Sequence, residues 1–491
     1  MGGSAAYTEA AFPAETPPTP DPSPPRAMRA GGGELTTVEV QFALAAIIAR
    51  ATREQKDSRH NESQVLNSQA TGRRDAVSKD RRNYLPTGIV VAALTGTASG
   101  KNSRASAALD TSLRSAVERK DVPGVVALIT NRERVLYRSA FGVADVATGR
   151  PLTSDALFRI ASMTKPITSV ALMQLVEQGR LGLDDPAEKY LPELAGGQQV
   201  FESFDAATGA YRLRPPSRPA SVRHFLAHTS GLAYPFTSAI WRDFKPRAGE
   251  THPFGGPLLF DPGERWHYST STDVVGRLVE VLSGQKLEDY FREHVFVPLG
   301  MDDTSYNVPE TKGPRLVAQQ QRAGARMDGA IELQTPQPGL AIAAPIGGGG
   351  LASTAEDYGR FVRMLLNGGA LEGVRVLRPE TVALMGENHI GAVSVPALKS
   401  ALPRSADFTF IADGRDKWGL GFLITVDQVR GMRSPGSLSW GGINNTYFWI
   451  DPTRGIAGVI MMQYLPFADA NALSVYDTFE RGAYQFVNAE R

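Results

Sequence analysis

Arg159-Ile160-Ala161-Ser162-Met163-Thr164-Lys165-Pro166 opens an apolar run, Ile167-Thr168-Ser169-Val170-Ala171-Leu172-Met173-Gln174-Leu175-Val176, whose density reads as a helix. Ser162 and Lys165 then stand three residues apart on one face of the first turn. Pro166 is tolerated there because the first amides of a helix have no intrahelical acceptor. A hydroxyl is thereby held beside an amine, at a helix N-terminus whose free N–H groups and partial positive charge suit negative charge developing on a carbonyl oxygen. That is the layout of an acyl-transfer site. An ordinary capped helix that happens to carry a Ser and a Lys is the plain alternative, and the rest of the chain has to decide between them.

On the N-terminal side, residues 107–117 carry apolar residues at helical spacing. Val125-Val126-Ala127-Leu128-Ile129-Thr130 and Val135-Leu136-Tyr137-Arg138-Ser139-Ala140-Phe141 flank Asn131-Arg132-Glu133-Arg134, which predicts a helix followed by an antiparallel hairpin. On the C-terminal side, Gly179 stops the Ser162 helix, and a polar insertion over residues 195–219 precedes Val222-Arg223-His224-Phe225-Leu226-Ala227-His228-Thr229-Ser230-Gly231-Leu232, which reads as a helix ending in a glycine turn. Ser230 is a rival nucleophile with His228 two residues away, but residues two apart on a helix do not face each other, which favours a turn-forming role.

Two later stretches add chemistry. In Phe260-Asp261-Pro262-Gly263-Glu264-Arg265-Trp266-His267-Tyr268-Ser269-Thr270-Ser271-Thr272-Asp273 a turn leads into extended chain. Asp273 is placed to cap a helix over 274–282, which leaves Tyr268 on a loop just before it. Near the C-terminus, strand-like runs at 420–426, 437–442, 447–451 and 456–462 predict an antiparallel meander, followed by a helix over 470–486. Gly441 and Gly442 within it mark either a close approach to the backbone or a bulge.

Composition narrows the function classes. Across 491 residues, 52 Lys and Arg against 51 Asp and Glu leave a net charge of +1, which gives no electrostatic reason to bind nucleic acid or a charged membrane. The absence of cysteine rules out a disulfide or a thiolate, and the seven histidines show no ligand spacing, so neither a metal nor another cofactor is expected. Residues 1–104 differ from the rest: 12–26 are proline-rich, and 50–80 are polar and charged, a composition that predicts a disordered extension. Within it, residues 80–100 resemble an export signal, with Asp80-Arg81-Arg82 before the apolar 88–94. The expected location is the cytoplasm, or the periplasm if translation begins near Val77. The apolar patch is too short for a membrane span.

Ser162-Met163-Thr164-Lys165, Tyr268-Ser269-Thr270 and Trp440-Gly441-Gly442, in this order over residues 105–491, resemble the serine hydrolases of the class C β-lactamase and penicillin-binding-protein superfamily. The phrases around Trp266-His267-Tyr268-Ser269 and Tyr447-Phe448-Trp449-Ile450-Asp451-Pro452 look most like the family VIII carboxylesterases. The resemblance implies an α+β fold, an antiparallel sheet flanked by helices with an inserted, mainly helical region. It also implies Ser162 as nucleophile, Lys165 and Tyr268 as its proton-handling pair, and a substrate-binding wall at Trp440, Gly441, Gly442 and Thr270. Two positions depart from the β-lactamase pattern: Thr270 stands where those enzymes have Asn, and Trp440 where they have Lys.

The expected activity is hydrolysis of small, short-chain neutral esters through an acyl-enzyme on Ser162. A β-lactamase, D-amino-acid peptidase or acyltransferase of the same fold, or a non-catalytic ligand-binding relative, is the alternative. No Gly-x-Ser-x-Gly elbow occurs, which disfavours an α/β-hydrolase. Two oxyanion donors are expected, the backbone N–H groups of Ser162 and Ile443. Either a neutral Lys165, at a cost of about 4.6 kcal/mol at pH 7 from a reference pKa of about 10.4, or a Tyr268 phenolate beside a cationic Lys165 can take the Ser162 proton.

Because residues 1–104 carry no periodic apolar pattern, a chain beginning at Ser103 is expected to fold and to keep the full ester-cleaving rate. Comparing its turnover of p-nitrophenyl butyrate with that of the whole chain checks this, and an insoluble or inactive truncation would contradict it.

Overall fold

A computed structural model describes residues 100–322, 344–409 and 415–490; the proline-rich run and nearly all of the export-like segment 80–100 lie outside the described residues. The helix α1 (Gly100–Glu118) leads into the hairpin β1 (Gly124–Asn131) and β2 (Val135–Asp145), followed by the two-residue β3 (Arg150–Pro151). The hairpin turn is fixed by Asn131, whose Oδ1 accepts from the N–H groups of Glu133 at 3.0 Å and Arg134 at 2.7 Å.

The central helix α2 (Thr164–Glu177) and the helices α3 (Ser271–Ser283) and α4 (Ala355–Leu366) come next. The meander β4 (Lys417–Trp418), β5 (Leu423–Ile424), β6 (Leu438–Gly442), β7 (Thr446–Asp451) and β8 (Ile456–Met461) and the terminal helix α5 (Ala470–Glu490) complete the domain. The eight strands form one antiparallel sheet in the order β4-β5-β6-β7-β8-β1-β2-β3, closed across its middle by β1 pairing with β8 from Val126↔Met461 to Asn131↔Ile456.

The unbroken apolar character of β1 follows from burial on both faces. Val126 and Leu128 pack with α2, α3 and α4, whereas Val125, Ala127 and Ile129 pack with α1 and α5. On β8, Gly458 faces Trp449 of β7 across the ladder, and a Cβ there would lie 2.1 Å from the indole, so the buried Trp449 needs glycine beneath it. The α+β architecture and the sheet flanked by helices match expectation, as do the hairpin, the meander and both terminal helices.

Several local expectations are corrected. Ser162 lies in a 3-10 turn, Ala161–Met163, that runs directly into α2, and the helix itself begins at Thr164. The helix after Ser221 is only Val222–Leu226, held by a reciprocal Ser221–His224 cap, because His228 (φ 54°) and Gly231 (φ 93°) turn the chain away. Asp273 is not a cap: α3 starts at Ser271 with Thr270 before it, and the Asp273 carboxylate accepts from the Gly348 N–H at 2.7 Å. The polar stretch 195–219 contains the hairpin Val200–Phe204 and Tyr211–Arg214, pinned by edge-on ring contacts of Phe201 with Tyr211 and Phe244. The insertion is therefore helical with a small β-ribbon. Among the described residues no helix is long and apolar enough to cross a membrane, and no group of three or more His, Asp or Glu could hold a metal ion.

The segment entering β6 is anchored from below by a fully buried ion pair. Arg433 donates from its backbone N–H at 3.0 Å and its Nε at 2.9 Å to Glu480 Oε1 on α5, and a second guanidinium nitrogen reaches Glu480 Oε2 and the Tyr476 hydroxyl. Removing one partner leaves the other charge uncompensated in the interior. Glu480→Ala is expected to lower the unfolding free energy by about 3–5 kcal/mol in urea titrations. An unchanged midpoint would show that the pair does not anchor this face.

Candidate active site

Ser162 sits at the junction between a strand pair and the central helix. Phe158–Arg159 pairs with Ala352–Ser353, the Ile160 N–H donates to Leu351 O at 3.0 Å, and the buried Tyr358 hydroxyl donates to Met163 O at 3.0 Å. These contacts hold Ala161 at φ 45°, a left-handed conformation that a residue with a Cβ adopts only under surrounding constraint. The turn thereby lifts the Ser162 hydroxyl off the helix face, partly exposed, above the buried start of α2.

Lys165 is 1 % exposed. Its Nζ lies 3.2 Å from Ser162 Oγ, 3.1 Å from the Tyr234 hydroxyl and 2.6 Å from Gly348 O, so a tetrahedral nitrogen meets three oxygens. The rings of Tyr268 and Tyr234 flank it at 4.8 Å and 5.2 Å from their centroids. The approach to Gly348 depends on glycine: a Cβ there would stand 2.6 Å from Asp273 Oδ1 and 2.9 Å from the Tyr234 hydroxyl. Burial, with Asp273 and Tyr268 nearby, holds the Tyr234 phenol well above its usual range.

Tyr268 lies on the loop before α3, as the sequence indicated, and its hydroxyl accepts from Trp440 Nε1 at 3.4 Å. Its ring is packed among Trp440 (4.9 Å), His228 (5.1 Å) and Tyr234 (5.3 Å). His228 Nδ1 lies 3.1 Å from Ser269 Oγ, which continues to Ser271 Oγ at 2.7 Å and on to Ser230 Oγ at 2.7 Å. Burial and the facing Lys165 and His267 drive the His228 imidazole well below its ordinary pKa, so it stays neutral. Ser230 is therefore the buried end of a hydroxyl chain that ties the 228–230 loop to the start of α3, and it lies away from the cavity at Ser162.

That cavity is lined by Ser162, Tyr268, Trp440, Gly441 and Ile443. Phe236, Leu398, Phe408 and Phe467 form its apolar walls, and Thr237, Lys399, Ser400 and Ser405 contribute polar atoms. Gly441 is part of this lining, whereas its neighbour Gly442 serves the turn: a Cβ there would lie 2.3 Å from Ile160 O. Gly442 thus marks a close approach between β6 and the Ser162 turn. Thr270 does not line the cavity; its hydroxyl donates to Phe254 O at 3.0 Å.

The structure brings Ser162, Lys165, Tyr268, Trp440, Gly441 and Ile443 together and leaves Thr270 and Gly442 one layer out. It also adds residues that the motifs did not include. Tyr234 and Gly348 contact Lys165 directly, and the 398–408 segment supplies Leu398 and Phe408 of the apolar wall. The run Gly347-Gly348-Gly349-Gly350 was a visible signal of close backbone approach. Tyr234 and the 398–408 segment carried no signal.

The chain matches the family model described as β-lactamase over residues 109–478. Lovastatin esterase from Penicillium rubens is 30 % identical over 413 residues, covering 78 % of this chain and 99 % of the relative. Esterase EstB from Burkholderia gladioli is 30 % identical over 393 residues, covering 72 % and 89 %. Among solved structures, a variant of simvastatin synthase from Aspergillus terreus superposes with a TM-score of 0.67 at 28 % identity, covering 79 % of this chain and 98 % of that one. With the family model spanning well over half of the sequence, the chain belongs to the β-lactamase family and is an enzyme of its serine-hydrolase branch, to which esterases and acyltransferases belong.

Proposed function

We propose that this protein is a serine carboxylesterase that cleaves short-chain neutral esters through an acyl-enzyme on Ser162. The observation that carries the reading is the Ser162 hydroxyl 3.2 Å from a buried Lys165 amine, at the end of a cavity walled by aromatic rings. Ser162 Oγ attacks the ester carbonyl carbon as its proton passes to the Lys165–Tyr268 pair. The carbonyl oxygen becomes an oxyanion held by the N–H groups of Ser162 and Ile443. Collapse of this intermediate breaks the bond to the alkoxy oxygen, which leaves as the alcohol with the stored proton. Water then repeats the sequence on the acyl carbon and releases the acid.

Three oxygens around Lys165 suit both protonation states of this cycle. As a free amine, Nζ donates to Gly348 O and the Tyr234 hydroxyl and turns its lone pair to Ser162; as an ammonium, it donates to all three. Tyr268 packs its ring 4.8 Å from Nζ and completes the pair. The names of the relatives, a lovastatin esterase and an esterase, support ester chemistry. Transfer of the acyl group to an alcohol in place of water would use the same acyl-enzyme.

The substrate class rests on charge. A penicillin or cephalosporin carries a carboxylate beside its reactive ring, and Trp440 offers it only an indole N–H and an apolar face. Lys399 is the one Lys or Arg among the described residues of the lining; it is largely exposed and already paired with Asp407 at 2.7 Å, so it adds little. Lacking a charge-assisted bond to the lactam carboxylate is worth about 1.5–3 kcal/mol, roughly tenfold to a hundredfold in binding.

Ser162→Ala, Lys165→Ala and Tyr268→Phe are each expected to remove most p-nitrophenyl butyrate turnover with the fold retained by circular dichroism. The double variants should be scarcely worse than the singles, since the three act as one unit. If Ser162→Ala kept near-normal turnover while Ser230→Ala abolished it, the nucleophile would be misassigned. On one enzyme preparation, kcat/KM for p-nitrophenyl butyrate should exceed that for nitrocefin at least tenfold; comparable values would overturn the neutral-ester assignment.

A further inference from the structure

Between the helices α2 and α3 runs a two-glycine strap whose backbone is bonded to both. Thr168 Oγ1 on α2 donates to Gly347 O at 2.7 Å, and one residue on, Lys165 Nζ donates to Gly348 O at 2.6 Å. From the other side Asp273 on α3 accepts the Gly348 N–H at 2.7 Å. Neither glycine admits a side chain: a Cβ on Gly347 would stand 2.2 Å from Thr272 O, and one on Gly348 would meet Asp273 Oδ1 at 2.6 Å. One residue, Gly348, therefore has an acidic side chain on its N–H and the site's amine on its carbonyl, while the Gly347 carbonyl that shares a peptide with that N–H is held by Thr168. The carboxylate thus fixes the residue whose oxygen meets the amine, and it lies close enough for its charge to act on Lys165.

The formal charges in this cluster are few. Tyr234 and Tyr306, both facing Asp273, are held well above the usual phenol range by burial first and by the Asp273 carboxylate next, and they stay protonated. His228, facing Lys165, stays neutral. Tyr268 contacts Lys165 through its ring face. Burial pushes the Asp273 carboxyl up, while Lys165 and the Gly348 N–H oppose that shift.

We propose that Asp273 is a positioning residue that sets the proton affinity of Lys165, by its charge and by holding Gly348 against the amine, and so sets the pH window in which Ser162 is reactive. This rests on Ser162 being the nucleophile and Lys165 its partner. The carboxylate favours the ammonium form, so removing its charge makes Lys165 lose its proton at lower pH. Whichever limb of the pH profile Lys165 governs must then move toward acid. That is the rising limb if the free amine takes the Ser162 proton, and the falling limb if the ammonium supports a Tyr268 phenolate. The Asn side chain keeps an oxygen for the Gly348 N–H, whereas Ala removes it.

The test is the pH dependence of Ser162 phosphonylation by a fluorophosphonate, followed by intact mass, alongside p-nitrophenyl butyrate hydrolysis. In the labelling step the Oγ–P bond forms, P–F breaks, fluoride leaves, and the hydroxyl proton passes to the Lys165–Tyr268 pair. Labelling needs an activated serine but no particular substrate, so labelling without ester turnover would count against the ester assignment alone. Asp273→Asn is expected to shift one limb of the labelling profile by about one pH unit toward acid and to keep its plateau rate within about fivefold. Asp273→Ala, which frees the strap, should lose tenfold to a hundredfold at every pH, with Asn restoring most of that loss. Unmoved limbs in Asp273→Asn, or a limb moved toward alkali, overturn the proposal. So does an Asn variant as slow as Ala, which would reduce Asp273 to a packing role.

Discussion

An amine buried to 1 % exposure with three oxygens around it is the arrangement on which the site depends. Taking a cationic nitrogen out of water is unfavourable by several kcal/mol unless hydrogen bonds replace the lost hydration. Here the replacements come from four separate pieces of chain: the Ser162 turn, the loop bearing Tyr234, the glycine strap and, through the strap, α3. Each piece has to be in place before Lys165 can be buried. The demand for a solvated amine and the demand for a correct fold are thus met by the same contacts.

The two faces of the sheet divide the work. One covers α2 and the inserted helices, and β6 runs alongside the Ser162 turn at the depth set by Gly442 against Ile160 O. The other is sealed by α1 and α5, with Arg433 and Glu480 fixing the entry to β6 from beneath. A shift of that strand would move Ile443 and Trp440 together, since both line the cavity with Ser162. Under the proposed mechanism the rigidity of the sheet is part of the chemistry, because oxyanion donors act only when held at a fixed position.

The aromatic surroundings of Tyr268 follow the same logic. His228, Trp440 and Tyr234 fix its ring, Trp418 packs edge-on against Trp440 at 4.6 Å, and the His228–Ser269–Ser271–Ser230 chain satisfies the polar atoms that this packing buries. A neutral histidine is suited to that place: it contributes shape and one hydrogen bond without adding a second positive charge near Lys165.

The sequence by itself determined the elements and singled out the residues that meet at the candidate site. Unbroken apolar runs gave β1 and the meander, the helical spacing gave α1 and α5, and Ser162, Lys165 and Tyr268 stood in motifs whose order carried the resemblance. Spacing along a chain is a local property, so whatever depends on neighbours three or four residues away was legible. Tertiary structure alone decided which tyrosine hydroxyl meets Lys165, that Asp273 bonds a loop 75 residues away and caps no helix, and that Thr270 turns to Phe254. It also decided that residues 398–408 wall the cavity. These are meetings between segments distant in sequence, fixed by how helices and strap pack around one buried amine, and no periodicity or motif length encodes them.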